Sequence, residues 1–273
     1  MAGKLKTPRV IVVGAEKGGA GKSTIAIHLV AGLLHRGASV AVMDLDLRQQ
    51  SVGHFFASRQ AWTAASGVTL PAPSMIDLGD TAALAGADSA EGLSRLHAGM
   101  ASAEAAEFVL IDTPGADTPL SRAAHAMADL IVTPMNDSFV DFDTLGAVDP
   151  VTLELKRPSI YSETVWESRK QRMTVDRSSI DWVVLRNRLA PSEARNRRRL
   201  DERVHALSRR VGFRMGPGLR DRVIYRELFP FGLTVADLSS AVRPVEVSLS
   251  HVAARQELRS LMQFLGLSQD EGS

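Results

Sequence analysis

Apolar residues occur in short unbroken blocks, separated by longer stretches in which they recur every three or four positions. Val10 to Val13, Val40 to Met43, Phe108 to Ile111, Leu130 to Val132 and Trp182 to Leu185 are such blocks. Runs with no polar alternation predict strands covered on both faces, as in a parallel sheet. They place strands over 9–13, 39–43, 107–111, 129–133 and 181–185, with a short one over 74–78. The intervening periodicity predicts helices. The first, over 23–35, puts Ile25, Leu29, Leu33 and Leu34 on one side and stops at Gly37. Others follow over 51–63, 192–212 and 249–265. An alanine-rich segment, 81–106, is expected to be helical but interrupted by glycines. The alternation predicts a single α/β domain: a mostly parallel twisted sheet flanked by helices on both faces. Residues 1–8 read as a loose terminus, 9–267 as the domain, 152–179 as a polar insertion carrying a solvated loop-helix, and 268–273 as an acidic tail.

The first strand runs straight into Gly14-Ala-Glu-Lys-Gly-Gly-Ala-Gly-Lys-Ser-Thr24. Gly14, Gly21, Lys22 and Ser23 have the spacing of a phosphate-binding loop between a strand and a helix N-terminus. Its backbone N–H groups over Gly18, Gly19, Ala20, Gly21 and Thr24 converge on phosphate oxygens, where the helix dipole also favours an anion. Lys22 is expected to reach the β- and γ-phosphates of ATP, and the Ser23 hydroxyl to sit on Mg2+. The third strand ends in Asp112-Thr-Pro-Gly115, an apolar strand followed by a carboxylate, the pattern of a group that holds Mg2+ through water. Thr113 and Gly115 would then form a switch sensing the γ-phosphate. The second strand delivers Asp44-Leu-Asp46 at its carboxyl end, the edge where open α/β sheets bind ligands.

The extra lysine in Lys17-Gly-Gly-Ala-Gly-Lys22-Ser-Thr makes this loop resemble the deviant Walker A ATPases of the ParA/MinD family. Within that family the chain is similar to the MipZ proteins, on Glu16 to Thr24, Asp44-Leu-Asp-Leu-Arg48, Asn136 to Asp143, Thr164-Val-Trp-Glu167 and the segment 214–233. The resemblance implies that Lys17 crosses a homodimer interface to the nucleotide of the other subunit. It implies that Asp46 positions the attacking water and Mg2+, with Asp44 behind it. The usual Pro-Gln continuation is Leu47-Arg48-Gln49 here. Asp44 has a second reading, as a cap for the following turn. The resemblance also implies that Asn187, after the fifth strand, meets the base. Leu189-Ala190-Pro191 follows in place of a guanine-reading aspartate, which favours adenine. As a plain turn residue, Asn187 would do none of this.

Charge alters the picture in one region. The whole chain has net charge +1, yet 13 arginines between Arg186 and Arg226 face only Glu193, Asp201, Glu202 and Asp221, a local +9. Along the helix over 192–212, Leu200, Val204, Leu207 and Val211 mark a buried face. Arg195, Arg199 and Arg203 form a second stripe with Arg198 beside it. Like charges at this spacing repel, so the stripe points to an anionic partner such as DNA phosphates. Arg220 and Arg222 extend it. No aromatic residues interleave, so binding is expected to be non-specific. The Asn136 to Asp143 cluster reads equally as a protein-contact patch or as helix caps.

Composition narrows the class. There are no cysteines, which excludes disulfides and the iron–sulfur relatives of this ATPase family. There is no apolar run of membrane-spanning length, and the acidic tail argues against a membrane-targeting helix. A cytoplasmic, nucleoid-associated protein is expected. The resemblance implies an ATP-dependent dimer that hydrolyses ATP slowly, binds chromosomal DNA, associates with ParB and inhibits FtsZ polymerisation. A partition ATPase without FtsZ activity, a membrane-cycling positioning factor and a small-molecule ATPase of the same superfamily are the competing readings.

Overall fold

Each apolar block becomes a strand because its alternate residues serve two different cores. In the computed structural model, Ile11 and Val13 of β1 (Arg9–Val13) face one helical layer, while Val10 and Val12 face the other. Both sides being apolar, the block shows no polar alternation. The structure describes residues 7–79, 84, 89–136, 144–149, 155–187, 194–239, 242 and 249–268, with the backbone alone at 89, 148, 155, 194–201, 203 and 249.

The chain continues through α1 (Lys22–His35), β2 (Val40–Asp44), α2 (Ser51–Ser66), β3 (Ser74–Met75), α3 (Ser89–Ser102), β4 (Phe108–Asp112), α4 (Pro119–Met127) and β5 (Leu130–Asn136). Then come β6 (Gly146–Val148), β7 (Leu155–Pro158), α5 (Ile160–Asp176), β8 (Asp181–Asn187), α6 (Ala194–Val211), β9 (Arg214–Pro217), α7 (Val223–Leu228) and α8 (Leu249–Phe264). Seven strands form one sheet in the order β3-β2-β4-β1-β5-β8-β9, every neighbouring pair parallel. β6 and β7 form a separate antiparallel pair. Helices α1, α2, α7 and α8 cover one face of the sheet, and α3 to α6 the other.

Two sequence expectations change. The strand predicted over 74–78 is only two residues long. Of the helix predicted over 81–106, Leu84 and 89–102 are helical, and 81–83 and 85–88 lie outside the described residues. The stretch 152–179, expected as a solvated insertion, includes α5, whose Tyr161, Val165 and Ser168 are buried. α5 leads the chain from β5 back to its parallel neighbour β8. Its apolar side is narrow, and Ile160, Trp166, Met173 and Val175 are exposed, so its periodicity is faint in the sequence.

The order of strands fixes the site. β1 is central, and its successor β2 lies to one side while β5, β8 and β9 run to the other. A crevice forms at the carboxyl edge where the connections part. Register puts Val13, Asp112 and Asp44 side by side on adjacent strands, and Asn136 beside Asn187.

Candidate nucleotide site

The loop between β1 and α1 rises from this edge. Glu16 to Gly19 are exposed at its turn, whereas Ala20 and Lys22 are buried. Gly21 adopts φ +92° as it enters α1, a conformation a side chain disfavours, and an added Cβ would meet Nδ2 of Asn187 at 2.3 Å. That same amide donates to the carbonyl of Ala20 at 3.0 Å. Asn187 therefore braces the loop from β8. With Gly21, Thr24, Arg220 and Tyr225 it also lines a cavity of about 90 Å3. The base-binding place expected for Asn187 is thus one of two roles its position allows.

Lys22 donates from Nζ to the carbonyl oxygen of Lys17 at 3.1 Å. Burial depresses its pKa, opposed by the charges of Asp112 and Asp46. Ser23 donates from Oγ to Oδ2 of Asp112 at 2.7 Å. Asp112 is almost wholly buried, which pushes its pKa up to about 7 against the pull of the Ser23 hydrogen bond. Its Oδ1 is buried with no hydrogen-bond partner. A buried acceptor without a donor costs ~1–3 kcal/mol, so it needs a group that the protein itself does not supply. Ser23 and Asp112 fit Mg2+ on this ground: a hydroxyl oxygen, an unmet carboxylate oxygen, and Lys22 close by for phosphate charge. Among the described residues no cluster of three ligating side chains occurs. None is needed where phosphates and water complete the shell.

Asp44 and Asp46 separate into two roles. Asp44 Oδ2 accepts from the N–H groups of Val52 and Gly53 at 3.0 and 3.2 Å, and Oδ1 accepts from the Asp46 N–H at 3.1 Å. Gln50, which stands at the N-cap of α2, gives no side-chain cap. Asp44 caps α2 from the strand end instead, the second of the two readings that its place in the sequence left open. Burial raises its pKa, partly offset by these N–H donors. Asp46 is half-buried, and only Oδ1 is engaged among the described residues, by the N–H of Gln49 at 3.1 Å. It remains the carboxylate able to face the cleft.

The segment after β4 touches the loop directly. A Cβ on Gly115 would meet the Gly18 nitrogen at 2.8 Å and the Lys17 carbonyl carbon at 3.1 Å. Motif spacing placed Gly115 beside the γ-phosphate. What it did not show is that this residue backs the turn bearing Lys17.

The arginine-rich region divides. Side chains of Arg195, Arg198, Arg199 and Arg203 lie outside the described residues. Arg222 is committed within the fold: Nη2 and Nε donate to Glu257 at 2.6 and 3.2 Å, and Nη1 to Ser250 at 3.1 Å. Arg220 stands 3.5 Å from the same Glu257 and is largely exposed. Both border the cavity beside Gly21 and Thr24. Arg222 thus serves the fold through Glu257 and Ser250, and a phosphate would have to share its guanidinium with that pair.

A strand–loop–helix phosphate cradle, acid-tipped strands beside it and an all-parallel sheet define a ParA/MinD-type P-loop ATPase. The chain matches the family model described as ATPase MipZ over residues 9–269, and it belongs to that family. A structure of McdA from Cyanothece without nucleotide is 19% identical, with a TM-score of 0.63, covering 94% of this chain and 99% of that one. The septum site-determining protein MinD of Pyrococcus horikoshii, solved with Mg-ADP, is 16% identical at a TM-score of 0.54, covering 92% and 94%. An iron–sulfur cluster carrier protein of Deinococcus radiodurans is 42% identical over 57 residues, which span 21% of this chain and 16% of that protein. This chain has no cysteine. Among the described residues no helix is long and apolar enough to cross a membrane.

Proposed function

We propose that this chain is an ATP-switched homodimer that binds DNA non-specifically, is localised by ParB and restrains FtsZ polymerisation. The observation that carries the nucleotide part is the Ser23–Asp112 pair, whose unmet buried oxygen lies beside Lys22 in a loop that exposes Lys17. Bound Mg2+ and ATP would supply an activated γ-phosphoryl group. Lys22 would then exchange the Lys17 carbonyl for phosphate oxygens, and Ser23 and Asp112 would hold the metal. Asp46 would orient the attacking water and accept its proton. The exposed Lys17 side chain would reach across to the partner's phosphates.

Dimer formation doubles the basic surface. Positions 195, 198, 199 and 203 lie on α6, the helix whose Val204 and Leu207 are buried. Twice the number of phosphate contacts raises affinity and steepens its salt dependence. The membership in the MipZ family supports the division-site reading. Sedimentation of the purified protein with FtsZ polymers and with DNA, in ATP, in ADP and without nucleotide, tests it. ATP-dependent effects on both support the proposal. DNA retention with no effect on FtsZ makes the chain a partition ATPase, and turnover with neither makes it a small-molecule enzyme.

A further inference from the structure

Beneath the phosphate loop lies a buried chain of side chains that the nucleotide chemistry does not use. Trp182 of β8 donates from Nε1 to Oγ1 of Thr133 on β5 at 3.0 Å. The hydroxyls of Thr133 and Tyr161 are 3.1 Å apart. The Tyr161 hydroxyl stands 3.0 Å from Nε2 of His125, and His125 Nδ1 stands 2.6 Å from the carbonyl oxygen of Ser121. All four side chains are buried.

The partners settle the direction of every bond. A carbonyl only accepts, so His125 carries its proton on Nδ1. Burial also depresses the imidazole pKa and keeps it neutral. Nε2 must then accept from Tyr161, Tyr161 from Thr133, and Thr133 from Trp182. Each donor has one acceptor, and rotation of any member would strand a buried group.

The chain ends against Gly14. A Cβ there would meet His125 Nε2 at 2.6 Å, the Tyr161 hydroxyl at 2.8 Å and His125 Cε1 at 2.9 Å. Gly14 is not among the positive-φ glycines, so its backbone would accept alanine. Its N–H is held by the Val132 carbonyl at 3.1 Å, so the residue cannot slide away. The first glycine of the loop is therefore required from the core side rather than by phosphate. His125 stands on α4, which begins four residues beyond Gly115 of the switch segment.

We infer that His125 and Tyr161 are positioning residues for ATP binding, a buried backstop that sets the entrance of the phosphate loop through Gly14 and ties it to the helix following the switch. The inference rests on the ATP-binding reading. Its test is a double-mutant cycle read by fluorescent ATP-analogue titration, with thermal unfolding followed on every variant. Gly14→Ala is expected to weaken binding at least tenfold. His125→Ala removes the nearest contact and gives the phenol room to move, so Gly14→Ala with His125→Ala should bind at least threefold more tightly than Gly14→Ala alone. Losses that simply add would overturn the backstop, as would normal binding by Gly14→Ala. Should Gly14→Ala fail to fold, Tyr161→Phe decides: affinity several-fold weaker with little change in the unfolding temperature supports the inference, and unchanged affinity contradicts it. A wild-type protein that binds no ATP would instead remove the functional reading itself.

Discussion

The ammonium of Lys22 rests on the carbonyl oxygen of Lys17, 3.1 Å away, so the loop's two lysines are tied to each other. Phosphate has to compete with that contact. A charge-assisted hydrogen bond to triphosphate is worth ~1.5–3 kcal/mol. Lys22→Ala is therefore expected to lower ATP affinity about ten- to a hundred-fold, measured by equilibrium titration. Unchanged affinity would mean that Lys22 does not reach the phosphates.

Asp46 and Asp44 should separate in kinetics. Asp46→Ala leaves the cap on α2 intact, so the protein is expected to bind ATP, keep its unfolding temperature and hydrolyse about 10²–10⁴-fold more slowly, with dimer accumulating. Asp44→Ala removes acceptors from three N–H groups, and is expected to cost roughly 1–2 kcal/mol in chemical denaturation. A rapid ATPase from Asp46→Ala would contradict its assignment.

Asp237 makes stability depend on acid pH. Burial opposes its ionisation, but hydrogen bonds from His35 and Arg59, the Arg59 charge and the Thr234 N–H outweigh that and hold its carboxyl well below the usual range. Arg59 donates to both carboxylate oxygens, at 2.6 and 2.9 Å, with both side chains inaccessible to solvent. A depressed folded-state pKa stabilises the fold above the unfolded value of about 3.9, and the contribution fades as pH falls towards the folded value. Arg59→Leu removes the carboxylate's paired charge, leaving it only the His35 and Thr234 partners, and is expected to cost ~3–5 kcal/mol near neutrality. Urea denaturation across pH should show that cost shrinking below about pH 4, whereas a cost independent of pH would contradict the account.

Arginines of the basic segment should divide by partner. Arg222→Ala breaks the pair with Glu257 and is expected to lower stability by ~1–3 kcal/mol. Arg198→Ala with Arg199→Ala should leave the unfolding temperature and ATP hydrolysis in place while weakening DNA retention and flattening its salt dependence. Filter binding at several salt concentrations, beside thermal unfolding, measures both.

Much of this was legible in the order of residues. β1, β4 and β5 are apolar on both faces, so their runs stand out, and the loop at Gly14 to Thr24 announces its phosphate chemistry by spacing. What stayed hidden depends on distant partners. Arg222 looks like a free cation until Glu257, 35 residues on, is folded against it, and Arg214 likewise meets Asp181. Asp44 resembles a catalytic acid by its neighbours in sequence, but its hydrogen bonds reach Val52 and Gly53 across a turn. Nothing local links Gly14 to Tyr161, because only the parallel order of β1, β5 and β8 brings α4 and α5 beneath the loop.

Lys17 carries the central claim, that one loop serves two nucleotides. Sedimentation velocity of wild type and Lys17→Ala, each saturated with a non-hydrolysable ATP analogue, tests it most directly. The expected result is a dimer for the wild type and a monomer that still binds the analogue for Lys17→Ala. A Lys17→Ala protein that dimerises as fully as the wild type would contradict it.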